Sequence, residues 1–205
     1  MLRVGLTGGL ASGKSFVGHV LEEQGCHLIH ADRLGHEALS PSGGAYAATV
    51  REFGEGILNN DGAIDRRRLA AIVFAQPEKL ALLNSFVHPE VFRREEEILA
   101  ALEREDPRGI AVVEAAIMIE GGSHRRYRKL IVAACPRETQ IARAMERDGL
   151  TREEVEQRLA RQMPLEEKVR YADFVVDTSG SKERTKALVL PIAEALREMA
   201  CSPSV

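Results

Sequence analysis

The run Gly8-Gly9-Leu10-Ala11-Ser12-Gly13-Lys14-Ser15 has the spacing G-x-x-x-x-G-K-S/T. It stands between a short apolar stretch, Leu2–Thr7, and a segment with helical periodicity, the context a phosphate-binding loop requires. Glycines at these positions let backbone N–H groups converge on phosphate oxygens, and the N-terminus of the following helix adds its positive dipole end. In such a loop Lys14 reaches the β- and γ-phosphates and the Ser15 hydroxyl ligates Mg2+. The motif therefore predicts a bound nucleoside triphosphate without naming the reaction.

Other residues with chemical potential lie nearby in the chain. In His30-Ala31-Asp32 the first and third side chains point the same way at the end of an expected strand. The carboxyl ends of parallel strands are where ligands sit in open α/β sheets. Asp32 either accepts a proton from an attacking hydroxyl or caps a helix beginning near Arg33. Asp65 caps a helix that opens with Arg66, Arg67 and Arg68. Three cations in a first turn oppose the helix dipole, which favours an anion contact over a solvated face, and Ile64 or Leu69 stays open as part of an acceptor pocket. His27, His30 and His36 do not read as a metal site, because His27 and His30 would face opposite sides of a strand. Cys26, Cys135 and Cys201 form no CxxC pair and read as inert thiols of a reducing compartment.

These side chains need a frame, and the apolar pattern supplies one. Strands are expected at Leu2–Thr7, His27–Ala31, Ile110–Glu114, Leu130–Ala134 and Phe174–Asp177, each followed by helical text. A helix follows Lys14 to about Gln24, and a last one, Lys182–Met199, carries Leu188, Ile192, Leu196 and Met199 on one face. Strands alternating with helices predict a parallel α/β sheet covered on both sides. Two stretches exceed a minimal crossover. Residues 32–109 are mostly helical in pattern, with a long helix starting at His88-Pro89, and imply an inserted helical subdomain. Residues 137–170 carry Arg137, Arg143, Arg147, Arg152, Arg158, Arg161 and Arg170 and read as a mobile helical pair over the end of the sheet. Gln162-Met163-Pro164 reads as the break that hinges it.

The 205 residues suit one domain with an insertion. No apolar run approaches the ~18 residues of a membrane span, and the first residues enter a strand-and-glycine pattern with no signal peptide. The expected setting is cytoplasmic. A net charge of −3, with no Trp and only 3 Tyr, disfavours nucleic acid as a partner. Arginine far outnumbers lysine among the 28 basic residues; its planar fork suits phosphate, although a coding bias gives the same ratio.

Read together, several blocks carry a family. LTGGLASGKS (6–15), HADRLGHEAL (30–39), the 53–78 segment, LNSFVHPEV (83–91), the 135–154 segment, RQMPLEEK (161–168) and ADFVVDTSGS (172–181) occur in one order. This resembles the dephospho-CoA kinases, which transfer the γ-phosphoryl of ATP to the ribose 3′-hydroxyl of dephospho-CoA in the last step of coenzyme A synthesis. The resemblance implies an α/β P-loop nucleoside-triphosphate hydrolase-like fold, a parallel five-stranded sheet with a helical substrate (CoA) subdomain and a helical lid. The core would comprise 1–31, 110–136 and 171–200, the acceptor subdomain about 32–109, and the lid about 137–170. It implies ATP as co-substrate, Mg2+ as cofactor, and a monomer or small homo-oligomer working on small molecules, away from membranes and nucleic acids.

Position by position, Asp32 matches the family's catalytic aspartate, Lys14 and Ser15 the phosphate-loop lysine and Mg2+ ligand, and Arg143 the lid arginine that clamps ATP phosphate. Gly9, Leu10, Ala11, Ser12, Gly13 and Phe16 complete the ATP loop, and Thr178 lies in the segment beside the adenine. Arg66 falls in the CoA domain; His88 matches an HP pair that contacts substrate or packs the helix start. Three departures stand out. His30 occupies the first place of the family's frequent D-A-D, Thr178 replaces the amide of D-N-S-G, and Glu114 opens the segment commonly written D-x-P-L-L-x-E. Glu114 either holds Mg2+ through water or serves as a helix N-terminal charge. Two rivals keep the same loop: a P-loop kinase for a nucleotide or nucleoside, and a nucleotide-gated regulatory protein.

Overall fold

Leu2, Val4 and Leu6 alternate along the first apolar run, and in the computed structural model, which describes residues 1–201, they belong to β1 (Leu2–Gly8). The strands β2 (His27–His30), β3 (Ile110–Glu114), β4 (Lys129–Ala134) and β5 (Phe174–Asp177) join it in one sheet. The order is β2-β3-β1-β4-β5 and every neighbouring pair is parallel. One face packs on the helices α1 (Lys14–Glu23) and α9 (Lys182–Cys201). There Val4, Leu6, Val112, Ile131 and Val176 meet Val17, Leu21, Val189, Ala193 and Leu196 in a single buried cluster. On the opposite face Gly5 is required by closeness, since a Cβ there would stand 2.6 Å from the Met118 sulfur.

Of the face expected for the last helix, Ile192, Leu196 and Met199 pack on the core and Leu188 does not. Leu196 is buried, but Leu188 is exposed while Val189 is fully buried. The fully inward line runs Thr185, Val189, Ala193, Leu196, and Leu188 falls just outside it.

The chain forms two compact units: residues 1–30 together with the chain from Ala101 onward, and Ala31–Ala100. The second unit contains α2 (Ala31–Ala38), α3 (Tyr46–Phe53), α4 (Arg66–Ala75) and most of α5 (Pro77–Glu105). Its core is Ile57, Ile64, Leu69, Val73 and Leu83. Ile64 and Leu69 are thus core residues at 8% and 3% exposure. Asp65 caps α4, accepting from the N–H groups of Arg67 and Arg68. Pro89 does not start a helix: it lies inside the 29-residue α5. A proline there removes one helical N–H and crowds the preceding turn. Leu83 and Leu99 are buried on either side of it, and Val87 packs on the core, so tertiary packing carries the helix through the break in its bonding.

In the first unit α6 (Arg137–Asp148), α7 (Arg152–Leu159) and α8 (Leu165–Val169) follow β4. Thr151 and Glu154 make a reciprocal capping box at the start of α7. Residues 160–164 separate α7 from α8, as the Gln162-Met163-Pro164 run predicts. The arginine-rich stretch does not stand apart from the sheet. It shares one compact unit with it, because Ile141, Ala144, Val155 and Leu159 bury themselves against Leu10 and Ala11. Its charges mostly satisfy one another: Arg152 bonds Glu138 and Glu156, and Arg147 bonds Asp148. Among the described residues no helix is long and apolar enough to cross a membrane.

Candidate active site

β1 ends at Gly8 and α1 begins at Lys14, so the loop between them lies at the carboxyl edge of the sheet beside the central strand. Gly13 caps α1 in the left-handed region, φ 83°, where a side chain would be strained. Ala11 has φ 52°, among the described residues the one non-glycine at positive φ. An L-residue pays about 1–2 kcal/mol for that conformation, and such strain persists only where the surroundings enforce it. The resulting curl opens onto a cavity of about 550 Å³ whose wall includes Gly9, Ala11–Phe16, Arg143, Arg147 and Lys182. The N-terminus of α1 and these cations outweigh the one carboxylate on the wall, Glu146, and favour an anion there.

Glu114, the last residue of β3, is 4% exposed and ties the loop together. The Ser15 hydroxyl donates to its Oε1 at 2.7 Å, and the Lys14 ammonium lies 3.5 Å from the same oxygen. His30 Nδ1 is 2.8 Å from Oε2. The register explains the grouping, because Glu114 pairs with Leu6 of β1 on one side and His30 of β2 on the other. Of the two readings of Glu114, the carboxylate beside the phosphate loop fits and the helix-terminal charge does not. Two of the three departures from the family pattern, His30 and Glu114, are therefore partners. A Ser hydroxyl beside a carboxylate is a hard-oxygen set of the kind Mg2+ takes, with water filling its remaining positions.

Thr178 follows β5, where the resemblance puts the adenine segment, but its hydroxyl serves the loop. It donates to the Ser12 carbonyl at 2.6 Å and is 3.2 Å from the Ala134 carbonyl. A Cβ on Gly13 would lie 3.1 Å from the Thr178 Cβ, so the side chain braces the phosphate loop from behind. Arg143 of α6 donates to the Thr178 carbonyl at 2.7 Å while also lining the cavity. Leu10, expected among the ATP contacts, points its side chain into the cluster of α6 and α7. Sequence reasoning missed Lys182, whose ammonium lies 5.9 Å from the Phe16 ring centroid, within reach of a cation–π contact. The available signal was its place as the first residue of the helix that follows the loop after β5.

In the second unit the expected acceptor residues partly converge. Burial and then the Arg66 guanidinium hold the His36 imidazole below its ordinary range, while Asp32 acts in the opposite direction. Asp32, His36 and Arg66 therefore form one electrostatic group. Helix α2 begins at Ala31, which puts Asp32 inside its first turn and not at the N-cap. His88 is held below its ordinary range by burial and stacks obliquely near Phe92, with ring centroids 6.1 Å apart. His27 pairs with Asp106 instead of approaching His30. Burial pushes the Cys26 thiol up to about 11 and raises that of Cys135 as well, in keeping with inert thiols.

A parallel sheet in this order, with a glycine loop, Lys14, Ser15 and Glu114 at its carboxyl edge, defines a P-loop kinase. The family model for dephospho-CoA kinase matches residues 2–183. A dephospho-CoA kinase of Geobacter sulfurreducens is 46% identical over 180 residues, covering 88% of this chain and 91% of the relative. A solved Thermus thermophilus protein superposes with a TM-score of 0.84 at 34% identity, covering 95% and 96% of the two chains. The dephospho-CoA kinase from Campylobacter jejuni superposes with a TM-score of 0.71 at 27% identity, covering 96% and 98%. The chain belongs to the dephospho-CoA kinase family.

Proposed function

We propose that this protein transfers the γ-phosphoryl group of ATP to the ribose 3′-hydroxyl of dephospho-CoA. The observation that carries the reading is the grouping of Lys14 and Ser15 on the buried Glu114 at the mouth of the phosphate loop. Backbone N–H groups of residues 13–15 and the N-terminus of α1 bind the phosphates. Lys14 exchanges its Glu114 partner for a phosphate oxygen, and Arg143, anchored on the Thr178 carbonyl, brings a second cation to the same cavity. Ser15 and, through water, Glu114 hold Mg2+, which when bound neutralises charge on the β- and γ-phosphate oxygens. Asp32 takes the proton of the acceptor hydroxyl, and Arg66 and His88 contribute to acceptor binding.

The test is to mix the protein with ATP, Mg2+ and dephospho-CoA and follow ADP together with the mass of the acceptor. The expected result is acceptor-dependent ADP and a gain of one phosphoryl group, with AMP and nucleosides accepting poorly. ADP without a modified acceptor, or better transfer to AMP, would overturn the substrate assignment. For the metal, Glu114→Gln keeps an oxygen for Ser15 but removes the charge. Outer ligands of this kind are worth about 10–100-fold in metal affinity, so the Mg2+ concentration giving half-maximal rate should rise at least tenfold. An unchanged Mg2+ titration would show that Glu114 only orients Ser15 and Lys14.

A further inference from the structure

The backbone of Leu10, in the phosphate loop, is held on both sides of its Cα by side chains far away in sequence. Its N–H donates to Gln162 Oε1 at 2.9 Å, and its carbonyl accepts from Gln140 Nε2 at 2.9 Å. Gln140 lies in α6 and is 4% exposed; Gln162 lies in the break between α7 and α8. The approach of Gln140 is possible only because residue 9 is glycine, since a Cβ there would stand 2.2 Å from its Nε2. Directly after Leu10 comes Ala11 at φ 52°. The side chains of Leu10 and Ala11 insert among Ile141, Ala144, Val155 and Leu159.

We infer that Gln140 and Gln162 are positioning residues for nucleotide binding, clamping the Leu10 backbone so that the loop keeps its phosphate-binding curl. The inference rests on the reading that this loop takes the phosphates, and it needs no particular acceptor. The strained turn at Ala11 requires something to hold it, and the two amides supply bonds on either side of the residue before it. Their orientation is fixed by the backbone: an N–H only donates and a carbonyl only accepts. Gln162 therefore works through its oxygen and Gln140 through its nitrogen. Through them α6 and the α7–α8 break both bear on one loop residue, so displacement of these helices reaches the phosphate site directly.

That polarity gives the test. Mg-ADP affinity is measured by calorimetry without any acceptor for the wild type and for Q140A, Q162A, Q140E and Q162E, with thermal melts alongside. Each alanine variant should bind about five- to tenfold more weakly, the effect of one hydrogen bond lost. Q162E should recover most of the Q162A loss, because a carboxylate accepts from the Leu10 N–H. Q140E cannot donate to the Leu10 carbonyl and should bind at least about tenfold more weakly than Q162E. Both glutamates add the same charge near the phosphates, so simple repulsion affects them alike. Equal affinities for Q140E and Q162E, or alanine variants that bind as the wild type does, would overturn the clamp. If Q140E fails to fold, the Q162 pair decides: rescue by glutamate supports the clamp, and a Q162E as weak as Q162A overturns it. A wild type that binds no Mg-ADP removes the phosphate-loop reading and the clamp with it. Loss of transfer to dephospho-CoA alone touches only the acceptor assignment.

Discussion

Asp32→Asn is expected to lower turnover with dephospho-CoA by about 10²–10⁴-fold, the usual range for removing a general base, while Mg-ADP affinity stays within about twofold of the wild type. The variant keeps the shape of the side chain and its place in the first turn of α2, and it removes only the basic oxygen. Because α2 begins at Ala31, the carboxylate is not at the N-cap position, where substitution by Asn would be nearly neutral in any case. Its neighbours speak for function too: Asp32 and Arg66 act in opposite directions on the charge of His36. Steady-state rates and calorimetry on the same preparation separate the alternatives. Equal loss of turnover and of Mg-ADP affinity would make Asp32 a structural residue.

The phosphate site was legible because its chemistry is local. Eight consecutive residues, 8–15, hold the glycines, the lysine and the hydroxyl, and a strand and a helix flank them by simple periodicity. All five strands were legible for a similar reason: each is a short apolar run with a turn signal after it, and the structure moves their ends by a residue at most. The misses have one physical origin, that a contact between distant segments leaves no period in the chain. Gln140 and Gln162 bond the backbone of a residue 130 and 152 residues away. The Thr178 hydroxyl reaches a carbonyl 166 residues away. A polar side chain that satisfies a buried backbone group looks, in the sequence, like any solvated one. The same holds for Pro89, whose local preference for a helix start is outweighed by the apolar residues that α5 buries on both sides of it.

Lys168 is the extreme case, and its substitution should have the largest effect on stability. It sits in α8 directly after two acidic residues, yet its side chain is fully buried. Its ammonium donates to the Ala116 carbonyl at 2.6 Å and pairs with Glu120 at 2.9 Å. Glu120 Oε1 also accepts from the Met163 N–H, and the Thr7 hydroxyl shares the Ala116 carbonyl. One ammonium thus ties α8 and the break before it to the segment after β3, next to the end of β1. Lys168→Met fills the space but leaves Glu120 without its counter-charge. Breaking a fully buried pair costs about 3–5 kcal/mol; Glu120 keeps 22% exposure, so water relieves part of the loss. The expected destabilisation is about 2 kcal/mol, or a fall in Tm of roughly 4–8 °C for a chain of this size. The added change Glu120→Gln removes the stranded charge while keeping an oxygen for the Met163 N–H, so the double variant should regain about 1 kcal/mol. Thermal and urea unfolding of the two single variants and the double measure that coupling. Strictly additive losses would mean that the ammonium serves the Ala116 carbonyl alone and that its pairing with Glu120 contributes nothing to the fold.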